Sequence, residues 1–266
     1  MVGIITAAAV VGGVGLIIGL FLGVSGEKFK VEVDERETKV RAQLPGNNCG
    51  GCGFPGCDGL AAAIVKGEAP TNGCPVGGPD VAKKISAIMG TQSANTVRMT
   101  AFVKCMGDCD KSARAYNYDG VKDCGVASFM QNGGDKTCTY GCLGYGSCKK
   151  ACPFGAIEIV NGIAKVDEEK CKACGKCVAV CPRHLIELVP YDSDIRVSCS
   201  SKDKGVDVKK ACTVGCIGCS MCQRDCPVDA IKVENFLAHI DYDICAGCGL
   251  CERKCPAKCI TSKETR

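Results

Sequence analysis

Hydrophobic and polar positions along the chain fall into four patterns. Residues 2–24 carry no charge, and a run of 23 such residues is long enough to cross a bilayer as one helix. Residues 27–43 then mix Glu27, Glu32, Asp34, Glu35 and Glu37 with Lys28, Lys30, Arg36, Lys39 and Arg41, which reads as a polar stalk. Residues 60–65 form a short apolar helix body, with Asp58 placed to cap its start and Gly67 to end it. Farther on, 157–160, 163–166, 231–233 and 237–240 are brief apolar stretches that read as hairpin strands. None of these is long enough to build a large core by itself.

The apolar N-terminal run reads as a retained anchor rather than a cleaved signal peptide, which needs a basic start and a shorter apolar core. Gly15, Gly19 and Gly23 share one helix face, where another transmembrane helix can approach closely. The bland alternative is that glycine is simply common in membrane helices. All five bases of 27–43 follow the span and none precede it, so the charge rule puts the bulk of the chain on the cytoplasmic side.

Composition changes the picture at one point. Cysteine occurs 26 times in 266 residues, while aromatics make up only 5% and there is no Trp. A chain so poor in large apolar side chains must be held by disulfides or by metal. The cytoplasmic placement disfavours disulfides, and the spacing decides for metal.

Three runs are regular: Cys171-x2-Cys174-x2-Cys177-x3-Cys181-Pro182, Cys216-x2-Cys219-x2-Cys222-x3-Cys226-Pro227 and Cys245-x2-Cys248-x2-Cys251-x3-Cys255-Pro256. This is the spacing of bacterial ferredoxins, in which three close thiols grip one [4Fe-4S] cluster and the fourth reaches the other cluster of the pair. Zinc sites favour separated ligand pairs. A constant step of 74 residues relates Cys142, Cys148, Cys152, Cys171, Cys174, Cys177 and Cys181 to Cys216, Cys222, Cys226, Cys245, Cys248, Cys251 and Cys255. In the second copy, Cys216, Cys219, Cys222 and Cys255 should hold one cluster, and Cys245, Cys248, Cys251 and Cys226 the other. In the first copy, Cys171, Cys174, Cys177 and Cys152 form one set. Cys142, Cys148 and Cys181 are in register for the other, but Tyr145 stands where Cys219 would be, and Cys138 is the expected replacement.

A separate group, Cys49, Cys52, Cys57 and Cys74, lies in a Gly-rich loop and beyond the helix that follows it, a donor set for a [4Fe-4S] cluster or a structural zinc. Six cysteines remain: Cys105, Cys109, Cys124, Cys199, Cys212 and Cys259. Cys259 aligns with Leu185 and reads as a packed small hydrophobe. Cys105, Cys109 and Cys124 either join Cys138 or another thiol in a sixth cluster or are buried free thiols. Were Cys138 used there, the first module would be left with three ligands and a three-iron centre.

The expected architecture is α+β: a transmembrane helix (1–26), the stalk (27–43), a four-cysteine iron–sulfur domain (44–92), a Cys-containing connector (93–135), a ferredoxin-like module (136–190), a second connector (191–211) and a second module (212–266). Neither His184 nor His239 stands in an acid or nucleophile motif, no Walker loop or protease motif is present, and no catalytic residue is expected. The formal charge of +4 does not argue for a nucleic-acid partner, since five [4Fe-4S] sites at about −2 each bring the loaded protein to about −6.

Asn48-Cys49-Gly50-Gly51-Cys52-Gly53 and Phe54-Pro55-Gly56-Cys57 resemble the four-cysteine domain of Rnf B subunits and of some corrinoid proteins. With the anchor before it and tandem modules after it, the whole chain resembles the B subunit of the Rnf complex. The segment Tyr140-Gly141-Cys142-Leu143-Gly144-Tyr145-Gly146-Ser147-Cys148 is similar to the clostridial-type version, and shorter relatives have one module. The resemblance implies five or six [4Fe-4S] clusters. It also implies electron uptake from reduced ferredoxin and delivery to cluster-, flavin- and NAD-bearing membrane subunits of an ion-translocating ferredoxin:NAD+ oxidoreductase. The competing readings are an iron–sulfur subunit of a hydrogenase or formate dehydrogenase, and a non-redox metal-stabilised scaffold. Lys149, Lys150, Lys170, Lys172, Lys176, Lys209 and Lys210 are candidates to meet an acidic ferredoxin.

Overall fold

The computed structural model describes residues 2–28, 34–92 and 97–265. Lys30 and Glu32 of the expected stalk lie outside the described residues. Helix α1 (Val2–Lys28) has 27 residues and so measures about 40 Å, longer than the bilayer's apolar layer. It is apolar enough to cross a membrane, and none of its described side chains is buried against the rest of the protein.

The second half of the expected stalk is not a spacer. Residues Glu35–Gln43 form α2, started by the Asp34 carboxylate, which accepts from the Arg36 amide. Val40 and Leu44 are buried against α3 (Gly56–Lys66) and α4 (Gly78–Met89), together with Leu60, Ile64 and Ile85. Two apolar residues on a capped helix suffice to pull it into a small core that lacks other apolar material. Asp58 does not cap α3; it sits inside the first turn and pairs with Arg41 at 2.7 Å. The cap is supplied by Asn48, whose Oδ1 accepts from the Cys57 amide at 2.8 Å. Gly67 ends α3 in the left-handed conformation, as its position predicts.

The rest of the chain is built from two copies of one unit. In the first, β1 (Met99–Val103) is followed by α5 (Cys124–Ser128), α6 (Ser147–Ala151), the hairpin β2 (Ile157–Val160) and β3 (Ile163–Val166), α7 (Lys176–Val180) and β4 (Ile186–Pro190). β1 pairs antiparallel with β4, from Met99 opposite Pro190 to Val103 opposite Ile186. In the second, β5 (Arg196–Val197) and α8 (Gly205–Ala211) precede α9 (Met221–Arg224). The hairpin β6 (Ile231–Glu234) and β7 (Leu237–Ile240), α10 (Leu250–Lys254) and β8 (Ile260–Thr261) follow, with β5 paired to β8. Residues 97–103 and 191–197 of the expected connectors therefore belong with the modules, while 93–96 lie outside the described residues. The last strand of each module exposes an unpaired backbone edge, and the strand just upstream of the module satisfies it. Ala101 and Val103 enter one core, and Ile195 and Val197 the other.

The modules touch through Arg196. This β5 side chain is fully buried, donates to Glu168 Oε1 at 2.6 Å and to the Pro190 carbonyl, and lies over the Phe102 ring. Residues 111–115 run extended between them. Ala113 donates to the Ala211 carbonyl and Thr213 to that of Lys111; on the other side Ala115 donates to Asp135 and Thr137 to Ala113.

Candidate metal centres

Twenty-four of the 26 thiols fall into six sets of four, and in the N-terminal set three converge while Cys49, on the same loop, faces Cys174. In the N-terminal domain, Cys49, Cys52 and Cys57 lie on the Gly-rich loop, and Cys74 returns beside Cys52 and Cys57, its sulfur accepting from the Gly77 amide at 3.3 Å. Cys152, Cys171, Cys174 and Cys177 converge in the first module. In the second, Cys216, Cys219, Cys222 and Cys255 line one pocket and Cys226, Cys245, Cys248 and Cys251 another.

The remaining two groups differ from the sequence expectation. Cys142, Cys148 and Cys181 share their pocket with Cys124, not Cys138. The Asp123 carboxylate caps α5 and accepts from the Ser147 hydroxyl, whose oxygen accepts from the Cys124 amide at 2.8 Å. This linkage holds Cys124 one residue from the start of α6, beside Cys148. Tyr145, at the position of the missing thiol, packs its ring 5.3 Å from that of Tyr118 and fastens the loop that delivers Cys124. The three-thiol remainder that would follow from using Cys138 elsewhere does not arise.

Cys138 lines a pocket with Cys105, Cys199 and Cys212, at the junction of the two modules. Residues 111–115 join 135–137 to 211–213, which brings Cys138 and Cys212 to one place. The two halves match: the Cys142 amide donates to Cys105 and the Cys216 amide to Cys199, each at 3.3 Å. Sequence reasoning misses this set, although Cys212 follows Cys138 by the same 74 residues as the rest of the repeat. Cys109 belongs to no group; it is exposed, with Arg114 Nη2 donating to its sulfur at 3.2 Å. Cys259 is buried in the second module, its sulfur 3.6 Å from that of Cys255.

Burial dominates the electrostatics. It pushes the thiols of Cys142, Cys177 and Cys251 up to about 11 and those of Cys148, Cys199 and Cys222 to about 12. Cys255 and Cys216 move down, because the Cys259 thiol donates toward both. Four thiols facing one another in a dry pocket become thiolates together only around a cation. Tetrahedral zinc would hold sulfurs about 4 Å apart, and a cubane holds them farther apart at the corners of a larger body. Backbone amides aimed at Cys171 from Ala101 and at Cys152 from Ala156 suit cluster-bound thiolates. The donor sets therefore fit [4Fe-4S] clusters.

Substitution separates Cys124 from Cys109. Cys124→Ala is expected to remove about four irons per chain, whereas Cys109→Ala removes none, read by iron and labile-sulfide analysis. The reverse result would refute the grouping.

Three family models match: "Putative Fe-S cluster" at residues 44–76, "LdpA Fe-S cluster-binding domain" at 146–192 and "4Fe-4S dicluster domain" at 215–259. Among curated relatives, the B subunit of the Na(+)-translocating ferredoxin:NAD(+) oxidoreductase complex of Acetobacterium woodii is 47% identical over 241 residues, 90% of this chain and 72% of that protein. The B subunit of the ion-translocating oxidoreductase complex of Methanosarcina acetivorans is 43% identical, covering 90% and 91%. The B subunit of the proton-translocating ferredoxin:NAD(+) oxidoreductase complex of Clostridium ljungdahlii is 43% identical, covering 87% and 82%. With this identity along nearly the whole chain, and with thiol sets fit for clusters from end to end, the chain belongs to the family of B subunits of Rnf-type ion-translocating ferredoxin:NAD(+) oxidoreductase complexes.

Proposed function

We propose that the chain relays single electrons from reduced ferredoxin to membrane subunits of such a complex, through six four-cysteine sets that each hold a [4Fe-4S] cluster. What supports this is a run of contacts that links one thiol set to the next. The Cys49 set lies against the Cys152 set, where Gly51 meets Cys174 so closely that a methyl group on it would stand 2.5 Å from the Cys174 carbonyl oxygen. The Cys152 and Cys124 sets share the first module. Cys142 leads to Cys105 in the junction set, and Cys199 leads from it to Cys216. The Cys226 set ends the series. When bound, [4Fe-4S] clusters supply one-electron redox chemistry, and sets in series give a charge a path between two distant ends.

The chain's own residues do the rest: they supply thiolates, aim amides at sulfur and exclude water. One end of the series belongs to the domain that follows α1, which we take as a single-pass anchor with the bulk of the chain on the cytoplasmic side. Toward the other end Cys219 and Cys248 are both exposed, so a soluble donor can approach either set of the second module. NAD reduction and ion movement fall to other subunits. Six sites at about −2 each would bring the formal +4 to about −8.

Anaerobic iron analysis with electron paramagnetic resonance tests the reading: about 24 irons per chain and reducible signals are expected, and zinc without a reducible signal would sink it. Copurification with flavin- and NAD-binding membrane subunits separates it from a hydrogenase or formate dehydrogenase role. All seven candidate lysines are exposed, with Lys170 and Lys210 engaged by Asp167 and Asp207. Docking of an acidic ferredoxin on them predicts oxidation rates that fall as salt rises. A salt-independent rate would remove the lysines from the account.

A further inference from the structure

Lys136 is a long basic side chain only 2% exposed. Its ammonium donates to two neutral carbonyls, Gly107 at 2.6 Å and Gly162 at 3.1 Å, and no ion pair joins it to a carboxylate among the described residues. Nearby acids have their own bases: Asp135 is held by Arg114 at 2.7 Å and Asp108 by Lys111 at 2.8 Å. A buried charge left without a counter-ion is strongly disfavoured, so something anionic must face Lys136 in the working protein.

Its two carbonyl partners say what. Gly107 is a wall of the junction pocket: a methyl group on it would stand 3.2 Å from the Cys212 sulfur and 3.8 Å from that of Cys105. Gly162 lies on Gly144, two residues after Cys142, so closely that a methyl group there would stand 2.3 Å from the Gly162 oxygen. Lys136 is thus clamped between a wall of the Cys105 set and a glycine contact two residues along the chain from Cys142 of the Cys124 set. The repeat provides an internal comparison. Lys210 stands 74 residues farther on, but its side chain is 73% exposed and reaches Asp207.

We propose that Lys136 is the built-in counter-charge of the two thiol sets at and beside the module junction, and that it makes the clusters bound there easier to reduce than they would be without it. This rests on the reading of those sets as cluster sites. A fixed positive charge in a dry interior favours the added negative charge of the reduced state, and no proton need move. Lys136 touches no ligand sulfur; it is a positioning residue acting through charge.

The test uses the full-length chain, loaded anaerobically, as wild type, Lys136→Met, Lys136→Arg and Lys210→Met. Iron content and midpoint potentials are read by electron paramagnetic resonance during redox titration. The junction signals are identified by their loss in Cys212→Ala and Cys124→Ala. Lys136→Met is expected to keep its iron while those signals shift to lower potential. The expected size is at least tenfold in the reduction equilibrium, about 59 mV for a one-electron couple. Lys136→Arg and Lys210→Met should leave them in place. Full iron with unshifted potentials in Lys136→Met would overturn the proposal. Should Lys136→Met lose iron instead, retention of iron and potentials in Lys136→Arg supports the counter-charge, and equal loss in both shows that shape matters and overturns it. A wild-type chain without reducible signals would instead refute the cluster reading itself.

Discussion

Anaerobic removal of iron is expected to unfold both ferredoxin-like modules at 25 °C, with loss of most of the far-ultraviolet circular dichroism contributed by residues 97–265. The reason is visible in the two cores. Cys142, Cys148 and Cys177 are core residues of the first module, and Cys216, Cys222 and Cys251 of the second. The apolar partners are few: Ile157, Ile163, Leu185 and Ile186 in one, Ile195, Ile231, Leu237 and Ile260 in the other. Each buried aliphatic side chain contributes about 1.5–3 kcal/mol, against roughly 1–2 kcal/mol of backbone entropy for every residue ordered. Strands of two to five residues and helices of four to seven cannot close that gap. The metal is therefore a structural element as much as a redox one. Helix α1 should keep its helical signal in detergent, because its backbone bonds are all internal. An iron-free chain with undiminished ellipticity would contradict this account.

The second large effect is expected at the junction. Cys212→Ala should lower iron from about 24 to about 20 per chain while the other five sets remain reducible by dithionite. In the assembled complex it should cut ferredoxin-dependent turnover by more than the roughly 10–100-fold that changes around a metal site typically cost. The junction set takes Cys105 and Cys138 from one module and Cys199 and Cys212 from the other, so losing it parts the series in the middle. Wild-type turnover with five sets loaded would show that charge bypasses the junction.

What the sequence reveals and what it hides follow from the distance over which each decision is made. The three regular cysteine runs and the strands at 157–160, 163–166 and 237–240 are local patterns, and the structure has strands at those three places. The start of α3 is a different case. Asp58 has the composition of a cap, but the cap is Asn48, nine residues before the amide that it serves. Cys124 escapes spacing rules for the same reason. Its position depends on Ser147, 23 residues later, and no periodic pattern covers that link. The Cys105 and Cys212 pairing spans 107 residues and exists only because 111–115 lie between the modules. The modules extend beyond their cysteine runs, since β1 and β5 pair with strands at the far end of each unit.

The close seat of Gly51 on Cys174, and the crossing of the junction by Cys212, also have a consequence for how the protein is made. Taken by their last cysteine, the sets are completed during synthesis in the order 74, 177, 181, 212, 251 and 255. The domain that follows the membrane helix has its four thiols before the surface that Gly51 meets has left the ribosome. At roughly 5–20 residues per second, the junction set lags it by about 7–28 s. During that interval Cys105 and Cys138 wait without their partners, so iron delivery has to be slower than translation or targeted by set. Of the six sets, the junction set has its thiols spread over the longest stretch of chain, from 105 to 212.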